Sequence, residues 1–147
     1  MKFFTTAALL SLVPALAQAI TVSYDTAYDK SSQSLSSVAC SDGSNGLLTR
    51  GFTTFGSLPR FPRIGGVPAV AGWNSPACGT CWALTYTNGQ GVKKTVNILA
   101  VDHSDAPDYN ISLAAMNELT GGNAAQLGRV TVTAAQVAPS NCGMKNW

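Results

Sequence analysis

The chain has 147 residues, of which 46% are hydrophobic and only 11% are charged, with a formal net charge of +2. This length fits one domain, and the low charge gives no electrostatic footprint for a polyanion, so nucleic acid is not an expected partner. The 14 Gly and 7 Pro are dispersed along the chain, which excludes collagen and a disordered chain.

The first segment, residues 1–19, has the pattern of a secretory signal peptide. Lys2 is followed by an uncharged apolar stretch and then by the small-residue tripeptide Ala17-Gln18-Ala19, which is typical of a cleaved leader. The apolar stretch is shorter than the roughly 20 residues of a membrane span. We therefore expect a secreted domain at residues 20–147 without membrane insertion.

Short β-like runs separated by turn residues follow in the rest of the chain. Alternating or β-branched runs predict strands, and a Gly- and Pro-rich stretch at 43–76 predicts a long ordered loop. The dipeptide Asn88-Gly89 predicts a hairpin turn between two of the strands. The strands are expected at residues 20–24, 34–40, 82–87, 94–101 and 129–137.

One helix is predicted, at residues 112–120. Leu113, Met116 and Leu119 form an apolar stripe at helical spacing, which indicates a helix packed on the core. Asn110 or Ser112 can cap its start, and the glycine pair after residue 120 can end it. Many short strands with one or two short helices indicate a mainly β fold, and we expect a small barrel. A β-sandwich is the alternative, because the number of strands alone does not separate the two.

The four cysteines are expected to form disulfides, because export leads to an oxidising compartment. Cys40, Cys78, Cys81 and Cys142 allow three pairings. If Cys78 and Cys81 each pair outward, each closed loop stabilises the fold by roughly 3–4.5 kcal/mol. The chain has a single histidine, His103, so the C-x-x-C of residues 78–81 does not predict a metal site, and no cofactor is expected.

Several long motifs resemble the cerato-platanin family, small secreted proteins of filamentous fungi. The resemblance covers nearly all of residues 20–147. It rests on Val-Ser-Tyr-Asp-Thr at 22–26, Cys-Ser-Asp-Gly-Ser-Asn-Gly at 40–46, Ala-Val-Ala-Gly-Trp-Asn-Ser-Pro-Ala-Cys-Gly-Thr-Cys-Trp at 69–82, Ile-Leu-Ala-Val-Asp-His at 98–103, Asn-Ile-Ser-Leu-Ala-Ala-Met-Asn at 110–117, Gln-Leu-Gly-Arg at 126–129 and Ser-Asn-Cys-Gly at 140–143.

The resemblance implies a six-stranded double-psi β-barrel with disulfides Cys40–Cys78 and Cys81–Cys142. It also implies an extracellular and cell-wall location and binding of chitin or N-acetylglucosamine oligomers. Expansin-like loosening of polysaccharide and elicitation through plant immune receptors are further implied properties. A surface-active coat or an elicitor that acts independently of sugar is a competing interpretation.

Expansins and some endoglucanases share this barrel, which raises the question of catalysis. Glycoside hydrolysis requires two carboxyl groups about 5–9.5 Å apart. The resemblance places Asp102 at the first position and Asn110 at the second, and an amide cannot deliver a proton. We expect no enzymatic activity. A weak glycoside hydrolase or transglycosylase, with Asp105 or Asp108 as the second carboxyl group, is the alternative.

Aromatic and polar side chains in or beside loops form the candidate carbohydrate-binding set. Flat rings contact the apolar face of a sugar, and amides and carboxylates bind its hydroxyls. Trp82 is expected in the core, and His103 either adjusts Asp102 or packs beside it. Residues 110–112 also form an N-glycosylation sequon, and we favour the unmodified amide. The candidates are Tyr24, Asp25, Tyr28, Trp73, Asn74, Asp102 and Asn110.

Overall fold

The computed structural model describes residues 3, 7–9 and 18–145. The predicted signal peptide lies largely outside the described residues and stays a prediction. None of the helices in the described ranges combines the length and the apolar composition that a membrane span requires.

Seven strands form one sheet in the described part of the chain, in the order β6-β1-β5-β2-β4-β3-β7. Two short α-helices and four 3-10 turns complete the fold. The strands are β1 (Thr21–Tyr24), β2 (Ile64–Val67), β3 (Cys81–Thr87), β4 (Lys93–His103), β5 (Tyr109–Ile111), β6 (Arg129–Thr131) and β7 (Thr133–Val137), and the helices are α1 (Leu113–Thr120) and α2 (Ala124–Leu127).

The mainly β class is confirmed, but the prediction of a closed six-stranded barrel is wrong, because the sheet is open and has seven strands. Residues 129–137, predicted as one strand, form β6 and β7. β6 pairs with β1, and β7 pairs with β3. Val132 separates them, and its N–H donates to the carbonyl of Ile20 at 3.0 Å. The two edge strands, β6 and β7, are thus linked in the chain by one residue, but they do not pair with each other.

The Gly- and Pro-rich stretch contains a central strand that the sequence did not predict. β2 lies between β5 and β4, and all four of its residues are buried. A Cβ atom on Gly65 would lie 2.3 Å from the carbonyl oxygen of Asn110. The missing side chain allows this close approach of two backbones.

The prediction of a strand at residues 34–40 is also wrong. Ser34 makes only an isolated bridge with Thr54, and the next residues form the 3-10 turn Leu35–Ser37. The Ser34 hydroxyl accepts a hydrogen bond from the N–H of Ser36 at 3.1 Å. Such local side-chain to backbone bonds compete with strand formation.

The predicted hairpin and helix are confirmed. β3 and β4 pair antiparallel, although the turn spans residues 88–92, with Asn88 Oδ1 accepting hydrogen bonds from two backbone N–H groups within it. Ser112 caps α1 by accepting a hydrogen bond from the N–H of Ala115. Gly121 ends the helix in the left-handed conformation with φ of 67°, which glycine adopts without steric cost.

Both disulfides have the pairing that the resemblance implied, Cys40–Cys78 and Cys81–Cys142. All four cysteines are buried in the core. Trp82 packs against this core, as predicted. Its Nε1 donates to the Thr80 hydroxyl at 2.8 Å.

Candidate functional site

Four residues form a row across the middle of the sheet. Ser23 on β1 is the register partner of Asn110 on β5, Asn110 pairs with Gly66 on β2, and Gly66 pairs with Asp102 on β4. Register partners project to the same face of a sheet. Since adjacent strands lie about 4.8 Å apart, Asn110 and Asp102 are separated by roughly 10 Å. We call these four residues the polar row.

A bulge in β4 sets the position of Asp102. Gly65 pairs with Ala100 while Gly66 pairs with Asp102, so Val101 is the extra residue. Its carbonyl accepts a hydrogen bond from the N–H of Cys40 at 3.1 Å. Bulges of this kind reorient side chains near functional sites. Here the bulge brings the chain around Cys40 against the end of the polar row.

The carboxylate of Asp102 accepts three hydrogen bonds. Its Oδ1 receives the backbone N–H groups of Ala39 and His103, both at 2.9 Å. Its Oδ2 receives the hydroxyl of Tyr28 at 3.0 Å. Gly66 makes room for this arrangement, because a Cβ there would lie 3.3 Å from the Tyr28 hydroxyl. The carboxylate is therefore held in one orientation.

Tyr28 contributes its hydroxyl rather than its ring face. The residue is only 6% exposed, and its ring lies 6.0 Å from that of Phe55. Burial, followed by the negative charge of Asp102, raises the pKa of the Tyr28 phenol well above its usual value. The phenol thus remains a hydrogen-bond donor at physiological pH.

A cleft of about 220 Å³ opens at this end of the polar row. Asp25 and Asp102 both line it, and Asp25 also caps the 3-10 turn Thr26–Asp29 by accepting the N–H of Ala27 at 2.8 Å. The sequence did not indicate the remaining polar lining, because no local motif marks it. These additional polar residues are Gln33 and Ser37.

Tyr24 lies apart from the polar row. It follows Ser23 on β1 and packs against the core, and successive strand residues face opposite sides of a sheet. Its ring therefore stabilises the fold on the other face, beside the start of the cleft at Asp25.

Trp73 and Asn74 form a separate platform on the loop held by the Cys40–Cys78 disulfide. Trp73 is 63% exposed, and its Nε1 donates to Asp42 Oδ1 at 2.6 Å. This bond lowers the pKa of the Asp42 carboxyl. Asn74 has a φ of 58°, and its Oδ1 accepts the N–H of Asn45 at 2.9 Å. The indole is thus an exposed ring with a fixed orientation.

The carboxyl groups that were considered as partners of Asp102 are engaged elsewhere. Asp105 is fully exposed and lies 3.3 Å from Nε2 of His103. Asp108 accepts the Thr21 hydroxyl at 2.5 Å and lies 3.5 Å from the Arg129 guanidinium. Asp25, which the sequence assigned to sugar binding, is the carboxyl group that shares the cleft with Asp102.

His103 is adjacent to Asp102 but points to another part of the loop. Its Nδ1 contacts the Val70 carbonyl at 2.5 Å. The bond to Val70, reinforced by Asp105, raises the pKa of the imidazole against a smaller opposing effect of burial. His103 therefore ties the loop that carries Trp73 to the end of β4.

The sequon spans the end of β5 and the cap of α1. Asn110 Oδ1 is 3.3 Å from the Ser23 hydroxyl, and the Ser112 hydroxyl is buried and donates to the Pro62 carbonyl. A glycan on Asn110 would cover the polar row. In the described part of the chain, no cluster of three or more His, Cys, Asp or Glu residues could hold a metal ion.

Comparison with known proteins is consistent across sequence and structure. The sequence pattern of the family described as cerato-platanin matches residues 20–144. The heat-stable 19 kDa antigen of Coccidioides immitis is 46% identical over 88% of this chain and 85% of its own length. Cerato-platanin of Ceratocystis fimbriata f. sp. platani is 42% identical over 90% of this chain and 94% of its own.

Solved structures agree with this assignment. The crystal structure of cerato-platanin 2 from M. perniciosa covers 86% of this chain with all of its own length, at 47% identity and a TM-score of 0.80. The family pattern, the sequence identity and the fold agree, and the chain belongs to the cerato-platanin family.

Proposed function

We propose that this chain is a secreted, non-catalytic carbohydrate-binding protein of the fungal cell wall that binds chitin or N-acetylglucosamine oligomers along the polar row and the Asp102 cleft. The observation that carries the proposal is the alignment of Ser23, Asn110 and Asp102 on one face of the sheet. Sugar hydroxyls and acetamido groups both donate and accept hydrogen bonds, and this row offers hydroxyl, amide and carboxylate groups in sequence.

The spacing of the row also suits a chain of sugars. Asn110 and Asp102 lie roughly 10 Å apart, so a single sugar ring cannot form hydrogen bonds with both side chains at once. Gly66 lies between them and is buried. The His103 carbonyl and the Tyr28 hydroxyl occupy the space where its side chain would begin, so Gly66 adds no side chain to the row. An oligomer, rather than a monosaccharide, is the ligand that would use the whole row.

Trp73 extends the proposed surface. The Asp102 carboxylate accepts a hydrogen bond from the N–H of Ala39. Three residues further along the chain, the Asp42 carboxylate accepts one from Nε1 of Trp73. At most 3.8 Å separates successive Cα atoms, so Ala39 and Asp42 lie within about 11 Å of each other. The exposed indole supplies a stacking surface for a further sugar.

The hydrogen bonds of Asp102 support a binding role over a catalytic one. A general acid has to donate a proton to the leaving oxygen, whereas both oxygens of Asp102 accept hydrogen bonds from the protein. Asn110 cannot replace the acid. Loosening of polysaccharide contacts would follow from binding alone, through competition for hydrogen bonds between glycan chains. Elicitation in plant hosts would proceed through plant immune receptors.

The proposal is tested by titrating chitin hexamer into the purified protein and following backbone amide shifts by NMR. The amides of Ala39 and His103 report directly on Asp102. We expect saturable shifts at both, and an affinity lower by about 10- to 100-fold in Asp102→Asn, the value of a charge-assisted hydrogen bond. Asp105→Asn removes the same charge from a fully exposed side chain and serves as the matched control. Absence of saturable shifts in the millimolar range would reject the proposal.

One observation favours a second candidate, a weak glycoside hydrolase: Asp25 and Asp102 line the same cleft. Its test is the release of new reducing ends from chitin hexamer over time. Release that persists in Asp105→Asn and disappears in both Asp25→Asn and Asp102→Asn would establish hydrolysis and replace the non-catalytic proposal. Unchanged hexamer in the wild type would exclude it.

A further inference from the structure

A second cavity lies between the start of α1 and the loop that precedes β2. It encloses about 370 Å³ and is lined by Arg60, Phe61, Arg63, Ala114 and Glu118, among others. None of these residues belongs to the carbohydrate-binding set proposed above. The cavity combines two guanidinium groups, one carboxylate and the partly buried ring of Phe61.

The charges of this cavity are balanced except at one residue. Arg63 binds Glu118 through two parallel hydrogen bonds of 2.9 and 2.6 Å. Asp29, near the start of α1, accepts the N–H of Leu113 at 2.7 Å and that of Ala114 at 3.0 Å. The ion pairs found within the described ranges involve Arg63, His103 and Arg129 and do not include Arg60.

The backbone holds Arg60 in a fixed position. Its φ is 57°, a left-handed conformation that is uncommon for a residue other than glycine. One of its terminal nitrogens donates to the Asn141 carbonyl at 2.7 Å, and its carbonyl accepts the N–H of Arg63 at 3.0 Å. The guanidinium is thus anchored at one nitrogen and retains further donors.

We infer that this cavity binds a carboxylate-bearing sugar, a uronate unit of an acidic saccharide. A guanidinium fork matches a carboxylate through two parallel bonds. The oxygens of Glu118 accept hydrogen bonds from sugar hydroxyls, and Phe61 and Ala114 supply an apolar wall for the ring. Arg60 is exposed, so water solvates its charge when no ligand is bound. A uronate carboxylate can pair with this guanidinium and a neutral sugar cannot, so the site favours one negative charge on an otherwise hydroxyl-rich ligand.

The test uses trigalacturonate and its trimethyl ester, which has the same shape without the charges. In an NMR titration at low salt we expect saturable shifts at the amides of Arg63, Ala114 and Glu118 with trigalacturonate and none with the ester. Arg60→Gln should weaken binding by about tenfold or more, as expected for a lost charge-assisted bond. Equal binding of the ester, or no saturable shifts with trigalacturonate, would overturn the inference.

Two further variants separate the site from general attraction to an anion. Lys93→Gln removes one positive charge at an exposed position outside the cavity and should leave the affinity unchanged. Equal weakening in Lys93→Gln and Arg60→Gln would overturn the inference. Arg60→Lys keeps the positive charge but loses the planar guanidinium, and it should bind trigalacturonate with an affinity between those of the wild type and Arg60→Gln. If Arg60→Gln disturbs the fold, the affinity of Arg60→Lys tests the inference. Chitin hexamer binding should be unaffected by Arg60→Gln, so this site and the proposed function fail independently.

Discussion

The hydroxyl of Tyr28 donates to Oδ2 of Asp102 at 3.0 Å, although the two residues are 74 positions apart. This bond joins the 3-10 turn after β1 to the end of β4. It couples the fold to the candidate site, because the same carboxylate also holds the N–H of Ala39.

Removal of the Tyr28 hydroxyl tests this coupling. Tyr28→Phe deletes a hydrogen bond to a charged group, and since Asp102 is only half-buried, water compensates in part. We expect the free energy of unfolding to fall by about 1–2 kcal/mol, measured by urea denaturation, together with weaker binding of chitin hexamer. Tyr86→Phe, at a half-exposed position on β3, is the control. An unchanged stability in Tyr28→Phe would show that the bond contributes nothing.

A methyl group at the centre of the polar row should be poorly tolerated. A Cβ on Gly66 would lie 2.7 Å from the carbonyl oxygen of His103, and this neighbour belongs to a ladder strand that cannot move freely. Gly66→Ala should therefore lower the free energy of unfolding by about 1–3 kcal/mol. Gly72→Ala, where nothing lies within 4 Å of the added atom, should change it by less than about 0.5 kcal/mol. Urea denaturation of both variants measures the two free energies of unfolding. Equal decreases in Gly66→Ala and Gly72→Ala would contradict the predicted clash with His103.

The two disulfides should differ in function more than in stability. Their sequence separations of 38 and 61 correspond to about 4 kcal/mol each in the chain-entropy model. The double variant Cys40→Ser/Cys78→Ser also releases the constraint on the segment around Ala39, whose N–H donates to Asp102. This variant should therefore lose affinity for chitin hexamer. The pair Cys81→Ser with Cys142→Ser should retain that affinity at temperatures where it is folded. Thermal melting and NMR titration measure the two effects, and equal loss of affinity would count against the coupling.

The stability contributed by His103 should decrease with rising pH. The pKa of its imidazole is raised, chiefly by the bond to the Val70 carbonyl and also by Asp105. The folded state therefore binds the proton more tightly than the unfolded state. This contribution is complete below the ordinary pKa of about 6.5 and is lost as the pH rises through the folded value. The difference in free energy of unfolding between the wild type and His103→Gln should thus shrink above that pH. A difference that grows with pH would contradict the prediction.

Much of the local structure could be predicted because its causes are local. The apolar stripe and the serine cap placed α1 within one residue of its observed start, and the alternation of β3 and β4 placed the hairpin. The strand at residues 34–40 failed because serine side chains satisfied the backbone locally. β2 was missed because a strand with two glycines and four residues has no β-branched alternation to detect.

The candidate site could be predicted only as a collection of residue types. Asp25 was a candidate from its chemistry, and Asp102 and Asn110 were candidates from the resemblance as well. Gly66 and Ser23 were not candidates, since their importance depends on strand register. Trp73 was grouped with the others, whereas the structure places it on a separate loop against Asp42.

The sequence by itself determined the mainly β class, the helix and the hairpin, because hydrophobic period, caps and turn residues act between neighbours in the chain. The resemblance of its motifs indicated the family, and the expected export indicated oxidised cysteines. Only the tertiary structure decided which strands are adjacent, that the sheet is open, and that Ser23, Asn110, Gly66 and Asp102 share one row. Hydrogen bonds between strands join backbone groups that every residue carries, so the pairing of distant segments depends on packing and close backbone approach rather than on any local pattern of side chains.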